Sequence, residues 1–408
     1  MAYQTYRNLP PLAGLCSMDE AQRVGLAVEE CVRRLKRFHY AFKLLHEIFT
    51  ARITAEPIYE LKTAFSHHAY LCAEHAAALR KRVGEMREPP LGLEDVPHPA
   101  LELFFNEILR APTTEDLVVG LYEKAVPALR AAIEQYVRDT HKLADAPSIR
   151  LARFALLELA DIEQFGRQTV ASLVDRANHF DWSALLDACL AAAGGLDGVR
   201  EGTDSIPAAH FSKQPYNYDR VPKRDERFQD SYNAGVNPEA FLYDEQFSPR
   251  DKTLMMYYKR LREIDVPEMM ASIIAETPGK PWGYYLEMSR QLWDEARHAM
   301  MGEVGFVHSG IDWTKIPINF TWSLNLNTQL TPIERHAVLY FIEQGLMPRT
   351  GKRYEWEVGT QSGDALSGLF QDFDWADEVL HARIGRDWYV KDFANLKESL
   401  DYGDRCWT

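Results

Sequence analysis

Strand signals are nearly absent from this 408-residue chain, and so are paired cysteines, long apolar runs and any surplus of positive charge. The five cysteines (Cys16, Cys31, Cys72, Cys189, Cys406) are scattered, with no CxxC pair and no short-loop pattern. That spacing excludes a disulfide framework and fits free thiols in a reducing, cytoplasmic setting. No stretch approaches the roughly 18 uninterrupted apolar residues of a membrane helix. The N-terminal stretch lacks the basic start and apolar run of a signal peptide, so no membrane partner is expected. A net charge of −14 argues against a nucleic-acid-binding surface, which would present a basic face. No flavin or nicotinamide fingerprint is present, so any reducing equivalents must come from an external donor or from the substrate.

What is present is ordinary globular composition, 46% hydrophobic and 26% charged, in a chain long enough for two domains. Apolar residues recur at helical spacing, for example Leu26, Cys31 and Leu35, then Ala41, Leu44 and Ile48. The pattern predicts helices over residues 19–56, from Pro57 to 86, 114–140, 147–176 and 182–193. Residues 194–250 are polar, aromatic and turn-rich, and read as a connector between two domains, 1–193 and 251–408. Helical signals return over 251–276, 283–308, 331–349 and 365–396, with an apolar crossover at 313–330. Two helices, a long crossover and two more helices is the connectivity of a ferritin-like four-helix bundle. The expected fold class is therefore all-α.

Two segments carry chemistry: Asp294-Glu295-Ala296-Arg297-His298 and Asp377-Glu378-Val379-Leu380-His381. Each is a Glu-x-x-His within a helix, and positions three apart lie on one face, so a carboxylate and an imidazole can reach one metal ion. Glu343 interrupts the apolar run AVLYFIEQGL, where an unpaired carboxylate would be costly to bury. Glu268 sits in a similar setting in PEMMASIIAE, with Glu263 and Asp265 as nearby acidic rivals. Tyr340 and Trp375 each precede one of these glutamates by three residues, and so either border the site or are simply core. Arg349, Lys352 and Arg353 follow the third helix; they either receive an acidic substrate group or are solvated helix-end charge.

DEARH, EQGL and DEVLHARIGRDW resemble the motifs of the ferritin-like di-iron carboxylate superfamily, over roughly residues 251–393. The likeness is closest to bacterial ferritin-like proteins of largely uncharacterised function. The resemblance implies Glu268, Glu295, His298, Glu343, Glu378 and His381 as metal ligands, with Glu295 and Glu343 bridging. It also implies that Asp294 and Asp377 each orient the histidine of the other motif. The implied cofactors are two iron ions, with manganese/iron left open, and dioxygen as co-substrate. The implied activity is a non-haem di-iron oxygenase or oxidase acting on a small organic molecule. Ferroxidase or iron-storage work, and a non-catalytic metal-binding scaffold, are the alternatives.

The first half also reads as a degenerate repeat of the second. Glu47, Glu74, Glu123 and Glu158 follow intervals of 27, 49 and 35 residues, against 27, 48 and 35 for Glu268, Glu295, Glu343 and Glu378. This parallel selects Glu268 over its rivals. The histidines have no counterparts in that register, since positions 298 and 381 fall on Ala77 and Asp161. The expected architecture is two tandem ferritin-like bundles, the first a pseudo-site domain that supports, covers or dimerises with the second, so a homodimer fits.

Overall fold

The computed structural model describes residues 3–86, 92–175, 180–203, 205–228, 238–318 and 321–407. It is all-helical, with no strand among the described residues. None of these helices is long and apolar enough to cross a membrane. The chain divides into two compact units, one of Met1–Ile48 and Leu71–Tyr216, the other of Phe49–Tyr70 and Asn217–Thr408. The division falls inside the expected connector. Residues 49–70, however, belong with the second unit rather than with the rest of 1–193. There Tyr59 packs against Phe228, Tyr257, Phe306 and Trp313 in an aromatic core.

The first-unit helices and those reaching the second unit are α1 (Met18–Ala21), α2 (Val28–Arg52), α3 (Tyr59–Glu85), α4 (Pro99–Leu109), α5 (Thr114–Val118), α6 (Val126–Asp139), α7 (Ala146–Leu173) and α8 (Phe180–Ala192). The helix expected over 19–56 is interrupted before Val28, where Gly25 lies against the His141 backbone; a Cβ there would stand 2.4 Å from the His141 nitrogen. A π turn at Val119–Ala125 separates α5 from α6 in the expected 114–140 helix. Helix α4, with Pro99 at its first position, has no counterpart among the expected helices.

The second unit contains α9 (Pro238–Tyr243), α10 (Pro249–Arg262), α11 (Asp265–Ala275), α12 (Trp282–His308), α13 (Thr321–Gln329), α14 (Pro332–Gly345), α15 (Lys352–Gln361), α16 (Ala365–Trp388) and α17 (Leu396–Trp407). α11 packs on α12 and α14, and α16 packs on the same two helices, closing a ring; α10 lies along α12 and α15 along α16. Close approach depends on glycine. A Cβ on Gly305 would fall 2.2 Å from the Tyr257 ring, and one on Gly385 would fall 2.2 Å from the Tyr340 ring.

The expected helix over 251–276 is two helices, and the reason is Pro267. Proline has no N–H to offer the carbonyl four residues back, that of Glu263, and its ring crowds that turn. The chain breaks there: α10 ends with Glu263 bonding back to Arg260, and α11 restarts at Asp265 with Pro267 in its first turn. The crossover at 313–330 contains α13. Helix α15 was not expected at all, and the helix assigned to 365–396 stops at Trp388, with α17 separate.

Candidate metal centre

Helix α12 presents Glu295 and His298, α14 presents Glu343, and α16 presents Glu378 and His381. All five are at most 3% exposed. Glu295, Glu343, Glu378 and His381 place one ligand atom each within 4.8 Å of one another. Glu263, Glu295 and His298 form a second such group, and His298, Asp374 and Glu378 a third. Five of the six expected ligands therefore meet, and two further acids join them.

Glu268 does not. Its Oε1 accepts from Lys62 Nζ at 2.8 Å, and its Oε2 accepts from Arg224 Nη2 at 2.9 Å and from Ser323 Oγ at 2.9 Å. Both oxygens are thus committed to cations or hydroxyl in a separate buried pocket. Burial would raise this carboxylate, but Arg224 and Lys62 hold it low. Asp265 shares Arg224 and goes the other way: burial raises it, and Glu268 adds to that against the guanidinium. The place expected for Glu268 is taken by its rival Glu263, whose Oε2 is 3.6 Å from His298 Nδ1.

Both histidines aim Nδ1 at the cluster. His381 Nδ1 is 3.1 Å from Glu295 Oε1, 3.4 Å from Glu378 Oε2 and 3.8 Å from Glu343 Oε1. His298 Nδ1 is 3.6 Å from Glu295 Oε2 and 3.5 Å from Asp374 Oδ1. Glu295 thus turns one oxygen to each histidine, as a bridging carboxylate would. The other residue shared by groups on both sides is Glu378; Glu343, the second bridge expected, serves only the His381 side.

The opposite ring nitrogens face away from the cluster. His298 Nε2 is 3.2 Å from Asp377 Oδ2, and His381 Nε2 is 3.4 Å from Asp294 Oδ2. Each aspartate thus meets the histidine of the other motif, the crossed arrangement expected for Asp294 and Asp377. Arg290 and Arg297 anchor the aspartates in turn: Arg290 Nε donates to Asp294 at 2.9 Å, and Arg297 Nη2 to Asp377 at 2.8 Å while also pairing with Asp294. Burial pushes Asp294 up, but His381 and Arg297 bring it down to about 2.

A test of fit comes from what these atoms fail to do. Glu263 Oε2, His298 Nδ1, Glu343 Oε2, Glu378 Oε2 and His381 Nδ1 are buried and make no hydrogen bond. Buried polar atoms rarely go unpaired, and these five, in residues of overlapping potential ligand groups, leave room for ions rather than for one another. The charges are correspondingly strained. Burial raises Glu343, and the neighbouring Glu378 and Glu295 raise it further. Burial would lower His381, yet Asp294, Glu295 and Glu378 hold it well above the usual imidazole range. The residue types suit a cation bound by oxygen and imidazole, such as iron or manganese.

Lys352 is the residue whose role the sequence concealed. It is no solvated helix end: it is fully buried, with Nζ 2.8 Å from Glu378 Oε1 and 2.9 Å from Asp374 Oδ2. Arg349 and Arg353 are exposed, as helix-end charge should be. Asp374 joins the cluster without a motif to mark it, although it lies four residues before Glu378 and so on the same helical face. Tyr340 is core, packed on Tyr389 with its hydroxyl donating to Gln344 at 3.3 Å, and Trp375 lies near Trp356. From the crossover helix, Ser323 and Asn327 donate to Glu268.

In the first unit the repeated glutamates do not gather. Glu47, Glu74 and Glu123 are exposed, and Glu158 pairs with His75 at 2.6 Å. Among the described residues, the groups able to hold a metal all lie in the second unit. Comparison of the chain with family models, with curated proteins and with solved structures gave no match.

Proposed function

We propose that the second unit is a ferritin-like bundle holding two metal ions, iron foremost, and that the protein is a dioxygen-dependent oxidoreductase acting on a small organic substrate. The observation that carries this reading is the set of five buried, unbonded ligand atoms that α12, α14, α16 and the turn after α10 bring into overlapping groups. Two iron ions, when bound, would supply the electrons that activate dioxygen and the oxidising power for the substrate.

The chain's own residues do the rest. Glu295 and Glu378 span the two halves, and Glu343 and His381 complete one half. Glu263, His298 and Asp374 line the other. Asp294 and Asp377 hold the Nε2 protons of the histidines, which leaves each Nδ1 lone pair directed inward. Protons carried by the histidines and Glu343 in the metal-free cluster would leave as ions enter. Burial of the whole set keeps bulk water away, so fixed charges act at full strength. Electrons would come from an external donor or the substrate.

The doubled architecture has its own support. Thr113 Oγ1 bonds Asp116 at the start of α5 at 2.9 Å, and Thr331 Oγ1 bonds Glu334 at the start of α14 at 2.7 Å. Gly166 lies against Tyr122 as Gly385 lies against Tyr340, a Cβ at each meeting the ring at 2.6 Å or less. These pairs sit 218 or 219 residues apart, a register slightly different from the one the glutamates suggested. In it Glu343, Glu378 and His381 answer to Ala125, Leu159 and Ile162, which are at most 2% exposed. We read the first unit as a repeat in which an apolar core has replaced the ligands.

The test is metal analysis of protein produced with iron, beside His298→Ala and His381→Ala. About two ions per chain, lost in both variants, with an absorption band that changes on exposure to air, is expected. Full metal content in both variants would refute the site, and iron far above that ratio would mean storage.

A further inference from the structure

The two halves of the cluster differ in the charge already beside them. On the His298 side, Lys352 Nζ contacts Glu378 Oε1 at 2.8 Å and both oxygens of Asp374 at 2.9 and 3.0 Å, and reaches Glu263 Oε1 at 3.8 Å. Arg260, also fully buried, pairs with Asp374 and lies 3.0 Å from Glu263 Oε1. Three carboxylates on that side thus share two resident cations. On the His381 side, the hydrogen-bond donor to Glu343 among the described residues is the neutral amide of Gln291, at 3.1 Å. A lysine held this way is neither surface charge nor a simple pair. Its Nζ is within reach of three acids that line the metal-binding space.

We propose that Lys352 acts as a resident cation in the His298 half, so that the two halves load unequally: the first divalent ion enters at Glu295, Glu343, Glu378 and His381, and a second enters only as Lys352 withdraws. This rests on the two-metal reading of the cluster. Lys352 is suited to the part. Its flexible stem starts at the first residue of α15, directly after Gly351, where a side chain can swing without unwinding a helix. Arg260 lies within α10 and is tied to Asp374, Glu263 and Glu355, so it stays. Lys352 also competes directly with an incoming ion for Glu378 Oε1 and Asp374, whereas among the described residues Glu343 has no lysine or arginine ion pair, and the His381 imidazole, itself a proposed ligand, lies 3.8 Å from it.

The experiment is anaerobic titration of the metal-free full chain with Co2+, followed by its visible absorption and by equilibrium dialysis. For the unaltered protein we expect two steps separated by at least about tenfold in affinity, because like charges within ~4 Å repel strongly in a buried site. Lys352→Met should tighten the second step and bring it close to the first, while Lys352→Arg should keep the steps apart. Glu343→Gln should remove the tighter step and leave the weaker. Two equal steps in the unaltered protein, or a second step that Lys352→Met leaves unchanged or weakens, would overturn the proposal while leaving the two-metal reading standing. No Co2+ binding at all would overturn both. If Lys352→Met fails to fold by circular dichroism, the unaltered protein and Glu343→Gln still decide, since loss of the weaker step in Glu343→Gln refutes the assignment.

Discussion

Replacing Glu268 with glutamine separates the two placements of this residue. As a metal ligand, its loss would lower metal content and leave the metal-free protein's stability nearly unchanged. In its observed place, bonded to Lys62, Arg224 and Ser323, it neutralises two cations with buried side chains, so the variant should keep its metal and lose stability. Breaking a buried ion pair by removing one partner costs about 3–5 kcal/mol. Asp265 lowers that figure. It is held up by burial and by the charge of Glu268, and once Glu268 is neutral it can ionise against Arg224 and restore part of the balance. The low end, about 3 kcal/mol, is therefore expected. For a unit of this size each kcal/mol shifts the melting temperature by roughly 2–4 °C, so the metal-free variant should melt about 6–12 °C lower. Calorimetry of chelator-treated protein, paired with metal analysis, reads both quantities, and Glu263→Gln is the companion that should lose metal. Reduced metal content in Glu268→Gln with an unchanged melting temperature would refute the reasoning and return Glu268 to the ligand set.

Asp294→Asn and Asp377→Asn, made separately, should each weaken metal affinity by roughly 10–100-fold through a misoriented histidine; competition with a chelator measures this, and unaltered affinity in both would show that the crossed contacts do not matter. Asp265→Asn should become progressively more stabilising as pH rises above the ordinary carboxylate range. The sign follows from direction: Asp265 is raised in the folded state, so the folded chain binds more protons than the unfolded one, and that contribution is lost as pH climbs through the folded value. Urea unfolding at pH 5 and pH 8 reads the difference, and a gain from asparagine that is larger at pH 5 would contradict it.

Helix content was legible in the sequence because apolar periodicity reports local burial directly, and α12 at both ends and α16 at its start match the expected bounds. The Glu-x-x-His pairs and Glu343 were legible for a related reason: on a helix, spacing alone determines which side chains share a face. Glu268 is misplaced by the sequence reading because its apolar setting looks like that of a ligand, while the partners that occupy it, Lys62, Arg224 and Ser323, come from distant parts of the chain. The match of intervals to Glu47 reinforced the error. Spacing between glutamates records neither exposure nor register, and three of the four first-half glutamates are exposed.

The sequence by itself determined an all-helical chain and five of the residues that meet in the buried cluster, because both follow from the geometry of single helices. Tertiary structure decided the rest. It put Lys62, from the start of α3, and Arg224, from a loop, against Glu268, and it brought Lys352 and Arg260 into the acids beside His298. Charges on different helices, far apart in the chain, compensate one another only once those helices pack. Whether a buried glutamate pairs with a lysine or is left facing a space for an ion is therefore settled by its neighbours in the fold, not by its neighbours in the chain.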